Sequence, residues 1–154
     1  MNIVLVEPEI PPNTGNVVRL CGVTGSKLHL VRPLGFSVDD KYLKRAGLDY
    51  WNLVDVKYYD SFQELKGIYP DSKFYFATTK AEKYYNQIQF TSDDFLVFGK
   101  ETQGLPEQLL KENKEYCMKI PMMEVTAARS LNLSNSVAII VYEALRQQNF
   151  LNLK

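Results

Sequence analysis

The sequence is poor in the residues on which many catalytic and metal-binding sites depend. It holds one histidine, His29, which excludes any mechanism that needs two. Its two cysteines, Cys21 and Cys117, stand 96 residues apart. That separation suits neither a disulfide framework nor a zinc site, so a reducing cytoplasm is the expected setting. No charge of either sign dominates. Eighteen Lys and Arg balance eighteen Asp and Glu, nine against nine in residues 1–77 and nine against nine in 78–154. A basic tail, an acidic tail and a uniformly basic nucleic-acid face are thereby excluded. Long hydrophobic runs are lacking too. The longest uncharged stretch, Ser130 to Tyr142, is too short and too polar for a bilayer helix of roughly 20 residues. Asn2-Ile3-Val4-Leu5-Val6 runs straight into Glu7-Pro8-Glu9, so no signal peptide and no membrane partner are expected.

What is present is a balanced globular composition. With 154 residues, 45% hydrophobic and 23% charged, the chain reads as a single domain over 1–154. A chain of this length buries about two-thirds of the surface exposed when unfolded. Short β-branched or aromatic runs at 2–6, 27–31, 53–57, 73–77, 95–98 and 116–120 predict strands. Helical patterns fill 14–24, 39–46, 60–67, 106–112 and 134–149. The strand runs are nearly continuous in apolar character, which suits strands covered on both faces. The alternation predicts an α/β fold, a mostly parallel sheet with helices on both faces. Pro11 and Pro12 predict a first helix beginning after them, with Asn13 or Thr14 as its cap. The last helix carries Val137, Ile140, Val141, Ala144 and Leu145 on one stripe and Ala138, Ile139 and Tyr142 beyond it. So wide an apolar surface fits either a deep core position or a contact between two copies of the chain.

Three loops that follow strands carry the unusual residues, at the end of the sheet where open α/β folds place ligands. The first, Glu7 to Asn16, holds three prolines and two asparagines and leads to Arg19; it is either a stiff connection or an anion-binding helix start. The second, Phe98-Gly99-Lys100-Glu101-Thr102-Gln103-Gly104-Leu105-Pro106, has glycines that let backbone approach a ligand closely. It is not a P-loop, because Asp94 and Glu101 stand where that motif needs Gly and Ser or Thr. No G-x-G-x-x-G follows any strand either, so a dinucleotide site is unsupported. The third places Ser130, Asn132, Ser134 and Asn135 beside Arg129, ahead of the last helix. One cap at Asn132 or Ser134 needs one such residue, and the excess marks a functional loop.

Taken together, NIVLVEPEIPPNTGNVVRLC, HLVRPLGF with KRAGLDYW, FGKETQGLP and IP…RSLNLSNSVAIIVYEALRQ resemble the SPOUT superfamily of RNA methyltransferases, from Asn2 to Gln147. FGKETQGLP alone marks the wider ribose-methylating group; EPEIPPNTGN and RAGLDY narrow the resemblance to the tRNA (cytidine(34)-2′-O)-methyltransferase branch. Lys100, Gln103 and the Met122–Ala128 insert are the variable places, with a bearing on substrate preference and loop shape.

The resemblance implies a SPOUT-type α/β knot, with a trefoil at the C-terminal end, in a homodimer. It implies S-adenosyl-L-methionine as methyl donor, S-adenosyl-L-homocysteine as product, and no metal. The donor's site maps to Ala77, Thr78, Gly99, Gly104, Ile120, Ser130 and Leu131. Carried over likewise, the catalytic group is Arg19, Asn13, Glu101 and Asn135. Arg19 corresponds to the family's motif arginine, often given the role of base. A guanidinium does not readily give up a proton, so holding an RNA phosphate is an equal alternative, with the proton lost to phosphate, water or Glu101. The implied reaction is methylation of the ribose 2′-OH of the wobble nucleotide, position 34, cytidine or modified uridine, in the anticodon loop of tRNA. For RNA contact the sequence offers Arg32, Lys41, Lys44 and Arg45, which also read as a solvated helix face. Tyr42, Tyr50 and Trp51 lie nearby as base-stacking or buried aromatics. Methylation of another tRNA or rRNA ribose, or a non-catalytic RNA-binding module with the same fold, are the competing readings.

Overall fold

The computed structural model describes residues 1–37, 50–123, 130–151 and 153–154. Strands β1 (Asn2–Val6), β2 (Lys27–Val31), β3 (Val56–Tyr59), β4 (Phe74–Ala77), β5 (Phe95–Phe98) and β6 (Cys117–Met118) form one sheet. Its order is β3-β2-β1-β5-β4-β6 and the pairings between its strands are parallel. The helices among the described residues are α1 (Pro11–Thr24), α2 (Phe62–Ile68), α3 (Glu107–Glu112) and α4 (Leu133–Gln147).

Alternate residues of each strand feed two cores. On one face, the upper core, Ile3, Leu5, Leu28, Leu30, Leu96 and Phe98 pack with Val17, Val18 and Cys21 of α1 and Val137, Ile140 and Val141 of α4. On the other, the lower core, Val4, Val6, Val31, Phe95 and Val97 pack with Phe62 and Leu65 of α2, backed by Leu109 and Leu110 of α3. Both neighbours of each odd–even pair are therefore buried, which is why β1, β2 and β5 read as unbroken apolar runs. Each such Val, Leu, Ile or Phe contributes about 1.5–3 kcal/mol of burial. Helices on both faces of a parallel sheet match the expected fold class.

Several boundaries differ from the sequence reading. Helix α1 begins at Pro11, with prolines in its first two positions and Ile10 at the cap without a side-chain cap bond. The first N–H groups of a helix have no intrahelical partner, so a residue without one is no obstacle there. Asn13 and Thr14 are consequently inside the helix and buried, not capping it. The third strand is Val56–Tyr59 in place of 53–57, because Trp51–Leu53 forms a 3-10 turn and β2 pairs Leu28 with Val56 through Val31 with Tyr59. That register buries Tyr59 against His29. Strand β6 keeps only two residues of 116–120, since Tyr116 ends a 3-10 turn. The predicted cap of the last helix is Asn132, whose Oδ1 accepts from Ser134 N and Asn135 N. The predicted helix 39–46, with Lys41, Tyr42, Lys44 and Arg45, lies outside the described residues, as do Arg129 and 124–128 of the insert.

His29 is a core histidine. Its Nδ1 lies 2.8 Å from the Tyr59 hydroxyl and its Nε2 3.2 Å from Asn2 Oδ1. The Asn2 amide nitrogen donates to Asp93 O, which leaves its Oδ1 as the acceptor facing the ring. Nε2 therefore carries the proton and Tyr59 donates to Nδ1. Burial, with help from the nearby Lys57 cation, pushes the imidazole down to about 4.

Candidate active site at the carboxyl ends of the strands

Chain order reverses between β1 and β5, and such a switch point leaves a crevice beyond the strand ends. A cavity of about 450 Å³ opens there, within the range of small-ligand sites. Its walls come from the loop after β4 (Ala77, Thr78), the turn after β5 (Gly99 to Leu105), the segment after β6 (Lys119, Ile120) and the lead-in to α4 (Ser130 to Leu133). Ile10 and Asn13, at the start of α1, complete it. Thus Ala77, Thr78, Gly99, Gly104, Ile120, Ser130 and Leu131, dispersed over more than fifty residues, all line one cavity.

The turn after β5 is tightly closed. Gly104 takes a left-handed φ of 71° and its N–H donates to Lys100 O at 2.9 Å. A Cβ on Gly99 would lie 2.1 Å from the Gly104 carbonyl carbon, so only glycine allows this closure. Leu105, buried at the far end of the turn, anchors it in the lower core.

The loop after β1 is fastened onto that turn. Glu7 leaves the strand at a φ of 51°, a left-handed conformation that costs a non-glycine residue about 1–2 kcal/mol. Its N–H donates to Val31 O, and its carboxylate pairs with Lys100 Nζ at 3.0 Å, half-buried. Thr102 Oγ1 donates to Glu9 Oε2 at 2.7 Å. Glu101 makes the central tie. Its carboxylate accepts from Glu9 N at 2.8 Å, Ile10 N at 3.1 Å and Asn13 Nδ2 at 3.0 Å. Three donors on one carboxylate hold it in place. The network continues to the third loop. Asn132 Nδ2 donates to Asn13 Oδ1 at 2.9 Å, while Asn132 Oδ1 caps α4. Asn13 is buried and has both amide atoms occupied, so it is a hub between the three loops.

The sequence-predicted residues divide accordingly. Asn13 and Glu101 meet at the cavity wall. Arg19 and Asn135 do not line it. Arg19 is on the exposed side of α1, its guanidinium 5.5 Å from the centre of the Tyr50 ring, and Asn135 is exposed in the first turn of α4. Arg32 is 2.9 Å from Asp60 and 5.5 Å from the Tyr58 ring centre, an exposed pair worth at most about 1 kcal/mol. Trp51 packs partly buried against the upper core. Asn132 was legible as a cap and as one of the four polar residues that mark the third loop; its second bond, to Asn13, had no local signal. Lys100, marked in the sequence as a variable place, reaches the cavity lining, as do Lys80 and Lys119, which carry no sequence signal because each is a lone lysine.

Residues 1–142 match the SpoU rRNA Methylase family. The tRNA (cytidine(34)-2′-O)-methyltransferase of Methylovorus glucosotrophus (strain SIP3-4) is 47% identical over 97% of this chain and 96% of its own length. A solved structure concerned with the 2-OH methylation of C/U34 on tRNA superposes with a TM-score of 0.90 at 41% identity, covering 97% of this chain and 96% of the other. A SpoU methyltransferase from Streptomyces viridochromogenes, solved in complex with the cofactor AdoMet, superposes with a TM-score of 0.87 at 22% identity. It is covered over 61% of its length, against 97% of this chain, and the likeness is one of fold.

Proposed function

This chain belongs to the SpoU rRNA methylase family, and from that we propose that it is an S-adenosylmethionine-dependent tRNA methyltransferase acting on the ribose 2′-OH of the wobble nucleotide, position 34. The observation that carries the reading is the cavity at the strand ends, where three loops are tied by the Glu101–Asn13–Asn132 network. Near-full-length identity to relatives named for that reaction supports the choice of nucleotide.

The cavity fits the methyl donor. The Gly99–Gly104 turn presents bare backbone, and Ile120, Leu131 and Leu133 supply apolar walls suited to an adenine ring. Ala77, Thr78, Gly99, Gly104, Ile120, Ser130 and Leu131 would hold it. When bound, it supplies an electrophilic methyl group on a sulfonium centre and leaves as S-adenosylhomocysteine. The chain's own task is positioning, which supplies much of the rate in such displacements. Glu101 keeps Asn13 and the start of α1 against the cavity. With three donors on its carboxylate, it is a brace for the site, and the 2′-OH proton leaves to phosphate or water. Arg19, a permanent cation, holds an RNA phosphate.

The same reading includes the C-terminal trefoil knot, a homodimer and a cytoplasmic setting. The dimer is supported by apolar side chains left on the outer sides of the packed α1–α4 pair, Val23 at 50% and Tyr142 at 45% exposure. A monomer by light scattering at working concentration would overturn that part. No helix among the described residues is long and apolar enough to cross a membrane. Anticodon-loop binding is assigned to Arg32 with Lys41, Lys44 and Arg45.

The test is incubation with labelled S-adenosylmethionine and total tRNA from a strain lacking this protein, with the methyl group mapped by mass spectrometry. A 2′-O-methyl at nucleotide 34 is expected. Incorporation elsewhere, or into ribosomal RNA alone, overturns the choice of nucleotide; no incorporation at all overturns the reaction.

A further inference from the structure

Helix α1 contains a glycine, Gly22, three residues after Arg19 and in the last turn of the helix. A glycine there weakens the helix relative to alanine and calls for a packing reason. The reason is Tyr50. A Cβ on Gly22 would lie 2.5 Å from Tyr50 Cδ1, 3.2 Å from Cγ and 3.3 Å from Cβ, so the ring occupies the notch that the missing side chain leaves. Residues three apart lie on one helical face, and the same ring stands 5.5 Å from the Arg19 guanidinium carbon. Tyr50 is also pinned from below. It packs against the upper core, and its carbonyl accepts from Leu53 N to close the 3-10 turn.

From these two contacts we infer that Tyr50 is a positioning residue for Arg19, seated on α1 through the notch at Gly22. The inference rests on the reading above, in which Arg19 acts on the RNA. An exposed arginine has many rotamers, and freezing such a side chain at the moment of binding opposes it by roughly two- to tenfold. A ring within about 6 Å attracts the cation through its π face, and so presets the guanidinium before RNA arrives. The ring, not the hydroxyl, does this.

The experiment compares the full-length protein with Tyr50→Phe, Tyr50→Leu and Gly22→Ala. Two quantities are read: the rate at which phenylglyoxal modifies Arg19, followed by peptide mass spectrometry, and kcat and KM for methyl transfer to tRNA. Gly22→Ala keeps both Arg19 and Tyr50 and raises helix propensity, so its effect is not one of a weakened helix. Tyr50→Phe is expected to match the wild type in both. Tyr50→Leu and Gly22→Ala are expected to speed Arg19 modification several-fold and to lower kcat roughly two- to tenfold, with affinity for S-adenosylmethionine unchanged. Unchanged modification in both variants, unchanged kcat despite faster modification, or a Tyr50→Phe variant as impaired as Tyr50→Leu each overturn the inference. If modification responds as expected while even the wild type transfers no methyl group, Tyr50 does seat Arg19 and it is the methyltransferase reading that fails.

Discussion

Asn132 and Asn13 are 119 residues apart in the chain and share a 2.9 Å hydrogen bond, donated by Asn132 Nδ2 to Asn13 Oδ1. The same Asn132 caps α4 through its Oδ1, and the same Asn13 donates to Glu101. One short polar path therefore connects the start of α1, the turn after β5 and the start of α4. Each of these borders the cavity, and none can shift alone without leaving a buried amide atom unpaired. Asn132→Ala should lower stability by about 1–2 kcal/mol through the lost cap and weaken cofactor binding as well. Asn132→Asp retains the capping oxygen and loses the donor to Asn13. Thermal melts should find Asn132→Asp closer to wild type than Asn132→Ala, while calorimetric titration with S-adenosylmethionine finds both weakened.

Arg19 stands on the exposed side of α1 and outside the cavity lining. Arg19→Ala should abolish methyl transfer while leaving cofactor affinity within about twofold. Equilibrium binding alongside a turnover assay checks this, and loss of cofactor binding would show that the arginine serves the cavity instead.

Gly99 has no room for a side chain, because the atoms a Cβ would meet are backbone, at 2.1 to 2.4 Å. Gly99→Ala should open the turn, cost about 1–3 kcal/mol and reduce cofactor affinity at least tenfold. Gly67, in α2, has open space where its Cβ would be. Gly67→Ala should bind the cofactor as the wild type does and melt no lower, so the pair separates close packing from mere loss of flexibility.

His29 is buried neutral, with its folded pKa near 4 against an ordinary 6.5. The unfolded chain takes up a proton between those two values that the folded chain refuses, so stability falls as pH drops from 6.5 to 4. At about 1.4 kcal/mol per unit the loss attributable to His29 is on the order of 3 kcal/mol. Urea unfolding at pH 7, 5.5 and 4.5 should show that slope in the wild type and a flatter one in His29→Gln. Methyl transfer by a partly destabilised but folded His29→Gln should persist, since the ring's nitrogens face Tyr59 and Asn2 rather than the cavity.

Local patterning determined the architecture in outline. The doubly buried strands β1, β2 and β5 announced themselves as unbroken apolar runs, and Asn132 with its trailing polar residues marked the start of α4, because hydrophobic burial and capping act within a few residues of the chain. The loops that bear the site were visible as clusters of Gly, Pro and Asn after strands, although their assignment to methyl transfer came from the likeness of whole motifs. The tertiary structure alone decided the rest. The start of α1 at Pro11 depends on an acceptor, Glu101, that lies about ninety residues away and takes up the N–H groups just before the helix. The register of β3 follows from burying Tyr59 against His29. The division between Asn13 and Glu101 in the cavity wall and Arg19 outside it, like the seat that Gly22 leaves for Tyr50, comes from side chains brought together by strand order. Strand order is chosen by the packing of both faces at once, a quantity that no window of neighbouring residues contains.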